Sequence, residues 1–341
     1  MTADPLVYII IVNYGRASDT IECLVSLGAL TGPAFRVVLV DNGSPSDSAR
    51  EIADFLGCAA DRRSGWKQVS HGCGYSLRFI PSPENLGFAG GCNIGMREAL
   101  ADPAATHVWL LNNDTLVEPD SLAALLRRCQ PAVHRTEVPV SMCGSTLIYY
   151  KPKDVLQGCG GRFDISRGRG RPIAALNPRE HLPEQAEVER DMDYVIGASM
   201  LVSIDLIRQV GLMDERYFLY FEELDWALRA RAQGFRLGWA PDSWVVHKEG
   251  AAIGTSMRAR PSAMATYFMT AGYLRLVWAL RRRTLPAALA ISAMRAANFM
   301  LQRDLELAGA VFQAITAFVR SPTAYVPGSF RGVGTAHQGK I

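Results

Sequence analysis

The stretch "VYIIIVNYGRASDTIECLVSLGALTGPAFRVVLVDNGS", residues 7–44, decides the fold. It opens on a β-branched apolar run that stops at Asn13 and Tyr14. Residues 18–30 then place apolar side chains at helical spacing, and a second apolar run from Phe35 ends in Asp41, Asn42, Gly43 and Ser44. Strand, helix, strand within that length is a β-α-β unit, with the strands parallel and the helix across one face. The alternation continues outward. A helix is expected around Ser48–Leu56, a loop through about residue 75, then the short strand "LRFIP". "ENLGFAGGCNIGMREAL" (84–100) leads into a further helix, and "HVWLLNND" (107–114) is a third apolar strand. The fold class is therefore α/β: a mostly parallel central sheet with flanking helices. Ligands in such sheets sit off the carboxyl ends of the strands, so Asn13, Asp41 and Asn112 to Asp114 are expected to face one crevice.

The bulk numbers narrow the function classes. A chain of 341 residues with 49% hydrophobic and 20% charged residues buries a full core and falls in the soluble globular class, as one large domain with an appendage or as two domains. A net charge of +3 is too mild for a nucleic-acid binder, and no nucleic-acid partner is expected. The seven cysteines are dispersed without a C-x-x-C pair, which gives neither a zinc site nor a redox pair and suits a reducing, cytoplasmic setting. Leu6 to Val12 lacks the basic flank and cleavage site of a signal peptide. No run reaches about 18 uninterrupted apolar residues, so no ordinary membrane span is expected.

A second block starts near Val140. It contains the Gly- and Arg-rich insertion "GCGGRFDISRGRGRP" (158–172), whose Arg162, Arg167, Arg169 and Arg171 read either as a mobile lid over phosphates or an anionic acceptor, or as a solvated loop. From Arg258 the composition changes. Arg258, Arg260, Arg275 and Arg281 to Arg283 stand among Tyr267, Phe268, Tyr273 and Trp278, ahead of two apolar stretches, "TLPAALAISAM" and "LAGAVFQAITAFV". These read as core helices of a helical appendage, with a homodimer contact as one use. The other reading lays them on a membrane, with arginines and rings toward anionic headgroups.

Chemistry is concentrated in "YFLYFEELDWALRARAQG" (217–234), where Glu222, Glu223 and Asp225 follow an aromatic run and open a helix ended by Gly234. Acids in a first helical turn complement the helix dipole, and Asp225 also stands four residues before Arg229. The alternative is a carboxylate held against rings to move a proton. Asp41 reads as a base- or sugar-binding acid or a helix cap, and Asp114 as a cation ligand or a turn residue. The glycines around residue 90 allow a close backbone approach to a ligand. His247 at the end of "WVVHKEG" reads as structural or as a ligand, and Cys92 as a remote thiol-nucleophile reading with no motif-placed partner.

Taken in order, "VNYGRASDTIECLVSL", "VVLVDNGS", "NLGFAGGCNIG", "WLLNNDTLVEPDSL", "YVIGASMLV", "GLMDERYFLYFEELDWALRARAQGF" and "APDSWVVHKEG" resemble the family 2 glycosyltransferases of the GT-A fold, specifically the bacterial rhamnosyltransferase-like group. The resemblance covers about residues 6–255. It implies a glycosyltransferase domain over 1–255, with a nucleotide-binding half at 1–120 and an acceptor half at 121–255, followed by a helical region over 256–341. It also implies an inverting transfer, metal-dependent through Mg2+ or Mn2+, of a sugar such as rhamnose from a dTDP- or UDP-sugar to a glycan or lipid-linked acceptor. A galactofuranosyl or other hexosyl transferase is the alternative, and a non-catalytic nucleotide-sugar or glycan binder a further one. By position, Asn13, Asp41, Asn85, Gly87, Gly90, Asn93 and Asn113 would bind nucleotide. Asp114 and His247 would hold metal, and Glu223, with Glu222 and Asp225, would be catalytic. Two departures stand out. The family's metal-binding D-x-D is reduced to "NND", and the base is Glu where Asp is more usual.

Overall fold

A computed structural model of the protein describes residues 4–45, 47–69, 74–130, 138–248 and 260–324. In chain order the strands are β1 (Leu6–Asn13), β2 (Phe35–Asp41), β3 (Lys67–Gln68), β4 (Ser76–Pro81), β5 (Ala105–Asn112), β6 (Thr115–Val117), β7 (Val140–Tyr149), β8 (Leu156–Gly158), β9 (Gly161–Asp164), β10 (Arg169–Pro172), β11 (Ser199–Ser203) and β12 (Arg236–His247). The helices are α1 (Ala17–Leu27), α2 (Ser48–Leu56), α3 (Gly87–Leu100), α4 (Ser121–Cys129), α5 (Gln185–Asp191), α6 (Ile204–Val210), α7 (Glu222–Ala232), α8 (Ala263–Leu280), α9 (Leu285–Leu301) and α10 (Leu305–Arg320).

The main sheet runs β3-β4-β2-β1-β5-β11-β7-β12-β6, with β8 beside β7. β4, β2, β1 and β5 are mutually parallel, as the β-α-β reading requires, while β11 lies antiparallel to both β5 and β7 and joins the two halves. β1 is a near-continuous apolar run because both its faces are covered. Val7, Ile9 and Ile11 pack in the layer of α1, and Tyr8 and Ile10 pack in the layer of α3. Two of the α3 glycines serve this packing. A Cβ on Gly95 would lie 2.5 Å from Ile10 Cγ2, and one on Gly91 would lie 2.7 Å from Val12 Cγ1, so the helix rides directly on the strand.

The C-terminal helices are docked onto the acid-bearing segment. Tyr217, Phe221 and Leu224 share a core with Tyr273, Leu274, Leu276, Val277, Ala288 and Phe318, and Phe218 stacks on Phe268 at 5.0 Å. Tyr267, Phe268 and Tyr273, expected as rings for a membrane interface, are therefore buried inside the protein, and Arg275 is buried with them. The sequence reading is also corrected on α9, which extends the stretch "TLPAALAISAM", expected to be too short to span, through to Leu301. Arg295 interrupts the apolar run but not the helix, and Arg282–Leu301 is long and apolar enough to cross a bilayer by length and composition while only 17% of it is buried. The large exposed apolar side chains Met294, Met300 and Leu301 lie on α9, and Leu305, Phe312 and Val319 on α10. Arg258, one of the expected lipid-facing arginines, lies outside the described residues. Arg260 is paired with Asp304 and Glu306.

Candidate active site

The carboxyl ends of β1, β2 and β5 form a closed polar network. Asn13 Nδ2 donates to Asp41 Oδ1 at 2.6 Å and to Ser48 Oγ at 3.0 Å, and Thr20 Oγ1 donates to Asn13 Oδ1 at 2.8 Å. Asn113 Nδ2 donates to Thr20 Oγ1 at 2.9 Å and reaches Asn13 Oδ1 at 3.4 Å. Asp41 also accepts from Ser44 Oγ at 2.6 Å and from the Ser44 amide, which holds the "DNGS" turn rather than capping α2. Asn42, Asn85 and the Gly87 backbone form a second knot. Asn42 Nδ2 donates to Asn85 Oδ1 and to the Gly87 carbonyl, and Asn85 Oδ1 accepts the Gly87 amide at 2.9 Å. Asn42 and Thr20 were not among the candidates, although both lie inside motifs that carried the resemblance.

Of the remaining glycine-helix candidates, Gly87 has φ +74 and a Cβ there would lie 2.2 Å from the Phe218 carbonyl oxygen, while the Phe88 amide donates to that same oxygen at 2.8 Å. Gly87 thus clasps the acid-bearing segment to α3. A Cβ on Gly90 would lie 2.5 Å from Leu86 Cβ. Asn93 stands apart from the strand mouth, with its amide engaged by the Met213 backbone and Glu215.

Asp114 and His247 meet across the sheet, where Lys248 N, just past β12, donates to the Asp114 carbonyl. His247 Nε2 is 3.2 Å from Asp114 Oδ1 and 3.4 Å from Asn112 Nδ2, and its Nδ1 donates to Gln157 Oε1 at 2.8 Å. Gln157 was missed because it lies 90 residues away on the short strand β8 and leaves no signal in sequence. With Nδ1 donating to Gln157, Nε2 faces Asp114, and loss of the Nε2 proton would leave there the lone pair that a metal-binding histidine needs. Burial would raise the Asp114 carboxyl, but the charge and hydrogen bond of His247 hold it below its ordinary value. Asn112 Oδ1 is buried with no partner. Three acceptors, Nε2, Asp114 Oδ1 and Asn112 Oδ1, therefore occupy one mouth, and such a donor set fits a cation. Among the described residues no cluster of three or more His, Cys, Asp or Glu could hold a metal. Asp114 and His247 would hold it together with phosphate oxygens of a ligand.

The acids of α7 have a different character. Tyr220 and Phe221 precede the helix with φ of 64° and 75°, a left-handed conformation uncommon for bulky residues and a marker of strain held in place by surrounding packing. Behind them Glu222 and Glu223 each keep a buried Oε2 without a hydrogen-bond partner. Burial pushes the Glu223 carboxyl up to about 7. Burial and then the neighbouring Glu223 push Glu222 well above the carboxylate range. Asp225 is neutralised differently. It accepts from Arg229 Nε at 2.7 Å, the i,i+4 pair read from sequence, and Arg229 in turn donates to the carbonyls of Val210 and Leu212. Cys92 is fully buried and its thiol is pushed well above its ordinary value, the opposite of what a nucleophile requires.

The two groups are neighbours. The Asn112 amide donates to the Ala198 carbonyl at 3.0 Å, and a Cβ on the preceding Gly197 would make ordinary contact with the Phe88 ring at 3.8 Å and with Glu223 Cβ and Cδ at 3.9 Å. Glu223 thus packs beside the backbone that pairs with Asn112 at the strand mouth. Two cavities of about 520 Å³ lie elsewhere, one lined by Arg128, Glu189, Arg231 and Arg236 and the other by Arg179 and Trp244.

The comparisons with known proteins agree with this geometry. Residues 8–134 match the profile described as glycosyl transferase family 2. The low-salt glycan biosynthesis hexosyltransferase Agl10 of Haloferax volcanii is 25% identical over 241 residues, which cover 71% of this chain and 66% of that protein. The N-acetylglucosaminyl-diphospho-decaprenol L-rhamnosyltransferase of Mycobacterium tuberculosis is 25% identical over 292 residues, covering 80% of this chain and 88% of that one. Among solved structures, the mannosyltransferase PcManGT from Pyrobaculum calidifontis, in complex with GDP-Man and Mn2+, superposes with a TM-score of 0.54 at 14% identity over 93% of this chain and 88% of its own. GalNAc-T7 with UDP, GalNAc and Mn2+ gives 0.55 at 15% identity over 82% of this chain and 48% of that chain. The chain thus spans about two thirds of the first relative and about half of GalNAc-T7. Its fold is GT-A, residues 8–134 match the glycosyl transferase family 2 profile, and the chain is similar to hexosyl- and rhamnosyltransferases.

Proposed function

We propose that the protein transfers a hexosyl or deoxyhexosyl residue, rhamnose first among them, from a dTDP- or UDP-sugar to a glycan or lipid-linked acceptor with inversion at the anomeric carbon. The observation that carries this reading is the Glu223 carboxyl, which keeps a buried Oε2 without a partner, is raised by burial to about 7, and packs at Gly197 beside the segment that pairs with Asn112 at the strand mouth. Glu223 takes the proton of the acceptor hydroxyl as its oxygen bonds to the anomeric carbon. The bond from that carbon to the phosphate oxygen breaks, and the nucleotide diphosphate leaves with the electron pair. Mg2+ or Mn2+ bound by Asp114 and His247 would neutralise the leaving diphosphate. Asn13, Asp41, Asn85 and Asn113 shape the nucleoside side of the crevice. The buried rings Tyr217 and Phe221 keep water from the acid.

In this reading residues 1–120 hold the donor, 121–255 serve the acceptor, and the 256–341 region keeps the enzyme at the cytoplasmic face of the membrane. The last part is supported by the uncharged outer face of α9 and by the exposed Arg281 to Arg283 at its start, with a homodimer contact as the competing use of the same face. Hexosyl transfer is the second reading, favoured by the Agl10 relative. A panel of dTDP- and UDP-sugars, followed for nucleotide diphosphate release and for the anomeric configuration of the product by NMR, tests the proposal. Release that stops in Glu223→Gln, with donor still bound, supports it. A retained configuration, or full turnover in that variant, overturns the assignment.

A further inference from the structure

The β9–β10 hairpin carries four arginines, and the structure divides them. Arg162 pairs with Asp191, and Arg167 lies 3.7 Å from Asp164, which also accepts from Ser166. Arg169 and Arg171, two residues apart on one strand and therefore on one face, make no ion pair or hydrogen bond among the described residues. The hairpin turn is seated on α8. Tyr273 Oη donates to the Ile165 carbonyl at 3.0 Å, and Gly168, with φ +59, lies so close that a Cβ would stand 2.9 Å from the Tyr273 ring.

That seating brings Arg169 against Arg295, the single charged residue of α9. Arg295 is half-buried and has no acidic partner among the described residues. Burial and then the charge of Arg169 disfavour its cationic form. A guanidinium does not give up its proton under these conditions, so the seam stays cationic. The nearby acids are already engaged: Asp164, across the hairpin from Arg169, by Arg167 and Ser166, and Asp191 by Arg162, which sits across from Arg171. Arg169 and Arg171 are exposed on one face of the hairpin and Arg295 is half-buried beside Arg169, so guanidinium forks without acidic partners line the rim of this seam and match the oxygens of a phosphate or diphosphate.

The seam also borders the reacting centre. Phe163 of the hairpin packs edge-on to Phe221 at 5.4 Å, next to Glu222. Tyr194 fills the space over Gly161 and Gly170 and senses the charge of Glu223. The donor mouth lies on the other side of Glu223, along β1, β2 and β5. We propose that Arg169, Arg171 and Arg295 form a binding site for a phosphate or diphosphate group, and that in turnover this is the group carrying the acceptor sugar.

The second half of this proposal rests on the glycosyltransferase reading; the first does not. The test is therefore run in two arms on the full chain. In the first, inorganic pyrophosphate binding is measured by calorimetry in an Asp114→Ala background, which weakens the donor mouth. Arg295→Gln and the Arg169→Gln/Arg171→Gln pair are each expected to weaken it at least about tenfold, and Arg295→Lys less, since a point charge lacks the fork. Unchanged pyrophosphate binding in both variants overturns the site, and circular dichroism confirms that each variant is folded. In the second arm the KM for a diphosphate-linked acceptor sugar is compared with that for the same sugar as a methyl glycoside. The arginine variants should raise the first KM about tenfold and leave the second, and the donor KM, unchanged. Equal changes for both acceptors would overturn the acceptor assignment and leave an anion site filled by free phosphate. Absence of any sugar transfer by the native protein would defeat the function reading while the first arm still decides the anion site.

Discussion

The strand mouth and the start of α7 are both polar and both buried, yet they are built on opposite principles. Around Asn13, Asp41, Thr20 and Asn113 nearly every polar atom has a partner, so the network is rigid and already shaped. At Glu222 and Glu223 two carboxyl oxygens have none, two bulky residues in front are held left-handed, and both acids are raised. Satisfied groups hold a ligand without rearranging. Unsatisfied acids are poised to accept a proton. In the proposed function the first region binds the donor and the second carries the chemistry.

The largest expected effect breaks the second region alone. Glu223→Gln should lower kcat by about 10²- to 10⁴-fold while calorimetric donor affinity is nearly unchanged. The same variant should reverse a pH effect on stability. Because the folded-state pKa of Glu223 is raised to about 7, the native state binds more protons than the unfolded chain between the ordinary carboxylate range and pH 7. Native stability therefore falls as pH rises through that window, and the Gln variant should escape part of this fall in urea titrations at pH 5 and pH 8.

Next comes the cation mouth. Asp114→Ala should weaken nucleotide diphosphate binding about tenfold or more and nucleoside binding far less, and chelation of divalent cations in the native protein should do the same. Equal losses for diphosphate and nucleoside would remove the cation from the site.

Smaller effects test the first region and the clasp between the two. Asn13→Ala leaves Asp41 and Thr20 short of partners in a buried place and should cost about 1–3 kcal/mol of stability by denaturant titration. Gly87→Ala should lower both Tm and kcat, since the new methyl meets the Phe218 carbonyl in a left-handed position. Gly65→Ala, where a Cβ meets nothing within 4 Å, serves as the neutral control. The smallest effect is expected at Glu222→Gln. Burial and then the charge of Glu223 raise Glu222, so an ionised Glu223 favours the protonated form of Glu222, of which Gln is a near-isostere. The acid limb of kcat/KM should remain near pH 7, and a limb displaced downward would show that the two acids share the charge.

Sequence by itself determined the β-α-β start, the polar strand ends and the acid cluster. All three are local patterns: apolar period, strand-terminal polarity, and acids at a helix start following aromatic residues. The short strand "LRFIP" and the helix at Ser48–Leu56 were legible for the same reason. Only the tertiary structure decided the antiparallel insertion of β11 between β5 and β7, the Gln157 support of His247, and the separation of Asp225, neutralised by Arg229, from the unpaired Glu222 and Glu223. It also turned the C-terminal rings inward and placed Arg295 beside Arg169. These pairings join residues far apart in the chain or depend on which face of a helix is covered, and neither is encoded in a residue's immediate neighbours. Burial of a polar group and the identity of its partner are properties of the packed chain, and they set the carboxyl and guanidinium charges on which the chemistry depends.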